Sequence, residues 1–337
     1  MAAGQHARLA RNVLWALLLL ATVIAGGWLL DHYTGGFGTL WQHARTISPA
    51  RWTIVGAATA LFYLLDWVRY ATLLSLLGHR LHPLAGLRLT CVSYFVSSLT
   101  PVAELHPPAM VFILTREGIP AADATAATVA KSLYMVLWIC AVAGIALALD
   151  PATSLPPVMA RWLPLSGLVL LALVAGFITL VVARARIERW GARVAADPAR
   201  PGWHKKLATG LARTGAATAR LGSSTRPAHL GCHAASLAFL FTYCCIGWLL
   251  CNALGVDLGL GRAVSVFSTG MMVAYLAPVP GSIGVTELAT AYLLDPHLGH
   301  AAVSASVLLR FLCWYGGGLP GPAFLLLAAR KRRLASG

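Results

Sequence analysis

The sequence predicts an all-α polytopic membrane protein, laid out as an inverted-topology repeat with two broken or re-entrant helical hairpins. Three observations carry that expectation. Hydrophobic residues make up 58% of the 337 and charged residues only 11%, where a soluble domain carries roughly 25% charge. Apolar stretches of membrane-crossing length recur along the chain, a helix needing about 20 residues to cross a ~30 Å hydrocarbon core. Two further apolar regions are interrupted in the middle by proline and glycine.

Taken in order, Arg8 and Arg11 precede an apolar run over residues 13–30. The charged start resembles a signal peptide, but the run is longer than a usual h-region and its small-residue cleavage pattern is weak, so it reads as an uncleaved first span. Further spans are expected over 52–77, 125–149, 163–183, 229–254 and 301–329. The first broken region, 87–114, is interrupted by TPVAELHPP (Thr100 to Pro108), and the second, 263–294, by APVPGSIG (Ala277 to Gly284). Between them the composition changes. Arg184, Arg186, Arg189, Arg193, Arg200, Lys205, Lys206, Arg213, Arg220 and Arg226 stand against Glu188 and Asp197. The expected organisation is therefore a membrane half over 1–183, a basic connector over 184–228 with short helices on the membrane surface, and a second membrane half over 229–337.

Loops rich in Lys and Arg stay in the cytoplasm. That rule puts the N-terminus, the connector and the C-terminal Arg330-Lys331-Arg332-Arg333 cluster on one side. Each half must then cross an even number of times, which fails if its broken region crosses once and holds if that region enters and leaves on the same face. The first hairpin would dip in from the cytoplasm and the second from outside. This is the inverted-repeat plan of many secondary transporters, and it implies an inner (plasma) membrane protein with both termini cytoplasmic.

Proline lacks a backbone donor and glycine permits turns that other residues resist. The breaks, with Pro101, Pro107 and Pro108 in the first and Pro278, Pro280, Gly281 and Gly284 in the second, free backbone polar groups at membrane depth. Lipid cannot satisfy these groups, so each turn must be buried in protein or line a wet cavity. Asp66, Arg69, Glu104, His106, Lys131, Glu287 and Arg310 also fall within apolar sequence, where a charge facing lipid costs roughly 2.5–3.5 kcal/mol even on the lenient insertion scale. Asp66 and Arg69, three apart on one helix, can pair with each other as a structural or relay couple. Each break carries a glutamate, Glu104 or Glu287, and the following span a cation, Lys131 or Arg310, so a Glu–cation pair is expected across each hairpin. If such a pair is isolated, replacing both partners with apolar residues is close to neutral.

Several function classes find no support. The net charge of +15 sits in segments flanking apolar runs, as orientation signals and anionic-lipid contacts do, without the aromatic interleaving of a nucleic-acid platform. Cys91, Cys140, Cys232, Cys244, Cys245, Cys251 and Cys313 lie in or beside apolar sequence without CxxC spacing and read as small buried side chains. No nucleophile elbow, Walker loop, HExxH or metal-spaced cluster is present. No enzyme activity, cofactor or metal is expected. Gly316-Gly317-Gly318 reads as helix packing.

The stretch APVPGSIGVTELATAYLL, followed by ASVLLRFLCWYGGGLPG, resembles the membrane domain of the lysylphosphatidylglycerol synthase/flippase family, which includes many stand-alone members. Pro278, Pro280, Gly281, Gly284, Glu287 and Arg310 match that family's Pro-x-Pro-Gly-Gly-x-Gly-x-x-Glu motif and the arginine on its next helix, with Ser282 in place of the second glycine. At the first break Thr100, Pro101, Pro108, Leu114, Gly118 and Ala124 match the first repeat, while Glu104-Leu105-His106 stands where many members have a small residue and two glycines. The resemblance implies a flippase-like membrane domain that moves or binds a lipid. The chain stops a few residues after its last basic cluster, so lysyl transfer is not expected of it.

The leading expectation is a lipid flippase moving a polar, anionic headgroup through a cavity between the hairpins, with Glu104, His106, Lys131, Pro278, Pro280, Gly281, Gly284, Glu287 and Arg310 as substrate-contacting residues. The partner would be a membrane phospholipid or polyprenyl-phosphate-type lipid, with homo-oligomers left open. The alternatives are a non-transporting lipid-binding scaffold that recruits a partner through the connector, and a membrane-embedded transferase.

Overall fold

The computed structural model describes residues 37–99, 107–149, 182–197, 201–223, 226–276, 282, 284–299 and 301–325, with scattered helical positions over 168–179 and at 327. The described residues are 90% helical without strands. The helices are α1 (Phe37–Thr46), α2 (Pro49–Leu76), α3 (Pro83–Leu99), α4 (Pro107–Arg116), α5 (Ala121–Leu149), α6 (Arg184–Ala196), α7 (Gly202–Ser223), α8 (Arg226–Ala253), α9 (Leu260–Leu276), α10 (Val285–Leu298) and α11 (Ala301–Leu325). The expected first span over 13–30 lies outside the described residues, as does most of 163–183.

Four of these helices are long and apolar enough to cross a membrane, namely α2, α5, the His229–Ala253 part of α8, and α11. Their ends follow local chemistry. Ser48 caps α2 by accepting from the Arg51 N–H, and Pro49 fills the first position, where its missing N–H costs nothing. At the other end Gly78 takes φ +83°, and the His79 N–H returns to the Leu74 carbonyl, a glycine-terminated stop. Ile54, Leu61 and Leu64 of α2, Leu137 and Ile145 of α5 and Phe241 of α8 are exposed. Helices apolar on their outward face as well as their inward one belong in lipid, and the chain is an integral membrane protein.

The two broken regions are each a pair of short helices packed on one another, α3 with α4 and α9 with α10. Arg88, early in α3, meets Glu117, just past α4, at 3.6 Å, so α4 folds back along α3. In the second pair a Cβ on Gly270 would stand 2.5 Å from Thr290 Oγ1, so α10 folds back along α9 at close range.

The halves interlock reciprocally. Helix α2 lies along α8, and Arg51 at the start of α2 donates to the carbonyls of Asn252 and Ala253 at the end of α8, at 3.2 and 3.1 Å. The two helices therefore run antiparallel. Helix α5 of the first half packs on α9 of the second, and the π-turn and glycine segment of α11 pack on α3 of the first. Gly317 sits against Tyr63, and Gly318 lies against the backbone of Tyr94 and Phe95, which makes the triple glycine a packing surface. Between the halves Phe62 stacks on Phe239 with ring centroids 4.3 Å apart, and Tyr94, Tyr243 and Trp314 close around them.

The polar groups collect at two ends. One end holds His79, Asp123, Arg220, Arg88, Glu117 and the hairpin of α6 and α7. The other holds His43, whose Nδ1 is 2.8 Å from Ser304 Oγ, together with Arg51 and Asn252.

Candidate functional site

The charged residues of the apolar helices converge. Asp66 Oδ1 lies 3.0 Å from Arg69 Nη1 and 2.8 Å from Lys131 Nζ. Spacing alone placed Asp66 and Arg69 on one face of α2. The crossing of α5 adds Lys131 and turns the couple into a cluster of one acid and two cations. Arg69 also donates to the Lys131 carbonyl at 3.1 Å and to Ser236 Oγ at 3.4 Å, and its guanidinium lies 4.5 Å from the Phe239 ring centre. Lys131 Nζ sits 4.2 Å above Tyr70. All three charged side chains are buried. Their mutual pairing and cation–π contacts offset the desolvation that burial imposes.

The second cluster is built by the second hairpin and α11. Gly284 takes φ +81° and starts α10, and Glu287 in its first turn accepts from the Gly284 N–H at 2.8 Å with Oε2. Oε1 accepts from the Tyr315 hydroxyl at 2.7 Å and faces Arg310 Nε at 3.7 Å. Ser306 donates to the Glu287 carbonyl at 2.9 Å. Just after Arg310 the chain makes one π-helical turn, Phe311–Tyr315, with the Gly316 N–H reaching back five residues to the Phe311 carbonyl. The extra residue in that turn brings Trp314 beneath the Arg310 guanidinium at 4.5 Å while Tyr315 reaches Glu287. Such bulges recur at functional sites.

A Glu–cation pair was therefore expected and is present for Glu287 and Arg310, but it is not isolated. The carboxylate also satisfies a helix N-terminus and a phenol. Lys131 meets Asp66. Its expected partner Glu104 lies outside the described residues, as do His106, Pro278, Pro280 and Gly281.

The first cluster and Arg310 of the second line one cavity of about 40 Å³, to which Ser282, Tyr94 and Trp314 also contribute. Sequence reasoning missed the hydroxyls of this cavity. Ser93, Tyr94 and Ser97 lie on α3, and their spacing within an apolar helix was the available signal. The Tyr94 hydroxyl is buried and has no hydrogen-bond partner among the described residues. Ser282, which stands where the resembling motif has glycine, adopts φ +53° and donates its hydroxyl to the Ala274 carbonyl. A left-handed backbone there explains the motif's preference for glycine, and the serine hydroxyl holds the turn to the end of α9. In this state the cavity has room for a few waters, lodged among three cations and Asp66.

Among the described residues no group of three His, Cys, Asp or Glu is arranged to hold a metal ion. The seven cysteines are free thiols.

Compared with known proteins, residues 13–321 match the family model described as the lysylphosphatidylglycerol synthase TM region. No curated protein and no solved structure matches the chain.

Proposed function

The chain belongs to the lysylphosphatidylglycerol synthase TM-region family, whose setting is membrane lipid, and from that premise we propose that it is a lipid flippase. A polar, anionic lipid headgroup crosses the bilayer through the central cavity while its tails remain in the hydrocarbon. One observation carries the reading: one cavity is lined by charged side chains from both halves of the chain, Asp66, Arg69 and Lys131 together with Arg310. An isolated structural ion pair would not need two such clusters to share one void. The three cations outnumber Asp66 and Glu287, which suits a phosphate-bearing headgroup.

At about 40 Å³ the cavity is closed to a headgroup, so transport requires the halves to move. The interlocked packing supports an inverted repeat, because antiparallel α2 and α8 are the spans that precede the two hairpins, and the span that follows each hairpin packs on the other hairpin. In this reading the hairpins are re-entrant, the end bearing α6 and α7 is cytoplasmic by the positive-inside rule, and the membrane is the inner one. Glu287 and Arg310, with Lys131, Asp66 and Arg69, act on the headgroup or relay a proton. Glu104, His106 and the Pro278–Gly281 turn belong to the same proposal.

The test is headgroup translocation in sealed liposomes, read by the chemical accessibility of a labelled anionic lipid. Purified protein should accelerate exchange over empty liposomes, and Lys131→Met and Arg310→Gln should reduce it at least tenfold. A protein that binds the lipid without moving it is the scaffold reading, which draws on the basic connector.

A further inference from the structure

Away from the central cavity, and sharing none of its lining residues, lies a groove of about 530 Å³ between α7 and the start of α5. One wall carries Lys205, Lys206, Thr209, Gly210, Arg213 and Thr214 of α7. Pro120, Ala121, Ala122 and Thr125 form the other. A groove of this size is typical for a small ligand. None of its three cations makes an ion pair among the described residues. The acid in the first turn of α5, Asp123, is already engaged by His79 at 2.7 Å and by Arg220, so among the described residues no acid offsets the positive charge of the groove.

Along α7 the side chains of Trp203, Leu207 and Leu211 are 63%, 53% and 39% exposed. Spaced four apart, they form one apolar stripe, and Trp190 of α6 is exposed as well. A cationic groove flanked by an exposed Trp/Leu stripe is what a helix lying in the membrane interface presents.

We propose that this groove binds an anionic glycerophospholipid. Its phosphate sits among Lys205, Lys206 and Arg213, with Thr209 and Thr214 as hydroxyl donors, and its acyl chains run past Trp203, Leu207 and Leu211 into the leaflet. The chemistry recognised is a phosphate. The apolar stripe assigns its source to a lipid rather than a soluble anion. The site does not depend on the transport reading, because it anchors the hairpin of α6 and α7 to the membrane whether or not the central cavity moves a headgroup.

The test uses the full-length protein in a neutral detergent, titrated with dioctanoyl phosphatidylglycerol, dioctanoyl phosphatidylcholine and glycerol 1-phosphate. Phosphatidylglycerol should bind saturably and at least tenfold more tightly than either of the others. K205Q/K206Q/R213Q should weaken it at least tenfold. W203S/L207S should weaken phosphatidylglycerol and leave glycerol 1-phosphate unchanged, and this variant decides the matter if the triple variant elutes as aggregate. Unaltered phosphatidylglycerol binding in K205Q/K206Q/R213Q overturns the site. Glycerol 1-phosphate binding as tightly as the lipid overturns the assignment to a membrane ligand.

Discussion

Tyr315 donates its hydroxyl to Glu287 Oε1 at 2.7 Å, the same oxygen that Arg310 Nε faces at 3.7 Å. The second carboxylate oxygen accepts from the N–H of Gly284. One buried side chain therefore ties the turn of the second hairpin to the last span, and its replacements should separate structure from function.

Glu287→Gln keeps an acceptor for Gly284 and an amide that can donate to the Tyr315 oxygen, so the protein should accumulate in the membrane at near wild-type abundance. It loses the charge that faces Arg310, and headgroup translocation in liposomes should fall at least tenfold. Normal translocation would reduce Glu287 to a helix cap. The double replacement Glu287→Leu, Arg310→Met is no longer expected to be neutral. It orphans the Gly284 N–H and the Tyr315 hydroxyl, each buried group costing about 1–3 kcal/mol, and should show as a lower thermal midpoint in detergent.

The first cluster should respond asymmetrically. Removing Asp66 as Asp66→Leu strands Arg69 and Lys131, and loss of a buried partner costs about 3–5 kcal/mol, so membrane abundance should collapse. Lys131→Met leaves Asp66 with Arg69 and should be tolerated. Equal losses of abundance in the two variants would mean that Asp66 does not hold both cations.

The close approach of α9 and α10 makes a compensating pair. Gly270→Ala drives a methyl against Thr290 Oγ1, on a branched side chain with few rotamers, and overpacking costs about 1–3 kcal/mol. Thr290→Ala removes a buried hydroxyl that has no hydrogen-bond partner among the described residues and should be close to neutral. The double variant should recover most of the thermal midpoint lost by Gly270→Ala. No recovery would show that the strain lies elsewhere.

The proposed sidedness is testable at the two polar ends. In a background without the seven native cysteines, Ala195→Cys in α6 and Leu260→Cys at the start of α9, both exposed positions, should label from opposite faces. The connector cysteine should react only after the membrane is opened. Labelling of both from outside intact cells would overturn the orientation and with it the inverted repeat.

The sequence by itself determined the solvent, the helices and the places where they break. Composition and run length register lipid burial directly, which is why the expected 52–77, 125–149 and 229–254 lie within a few residues of α2, α5 and α8. Proline and glycine act locally, so the interruptions between α3 and α4 and between α9 and α10 were legible too. So was the pairing of Asp66 with Arg69, because one turn of helix brings them together. Tertiary structure alone decided which helices meet. Lys131 meets Asp66, the π-turn brings Tyr315 onto Glu287, and Tyr94 and Ser282 reach the cavity, because contacts between helices distant in sequence depend on crossing geometry and register. The basic connector was legible as charge. That Lys205, Lys206 and Arg213 share one groove with the start of α5 depends on how α7 packs, which periodicity alone does not specify.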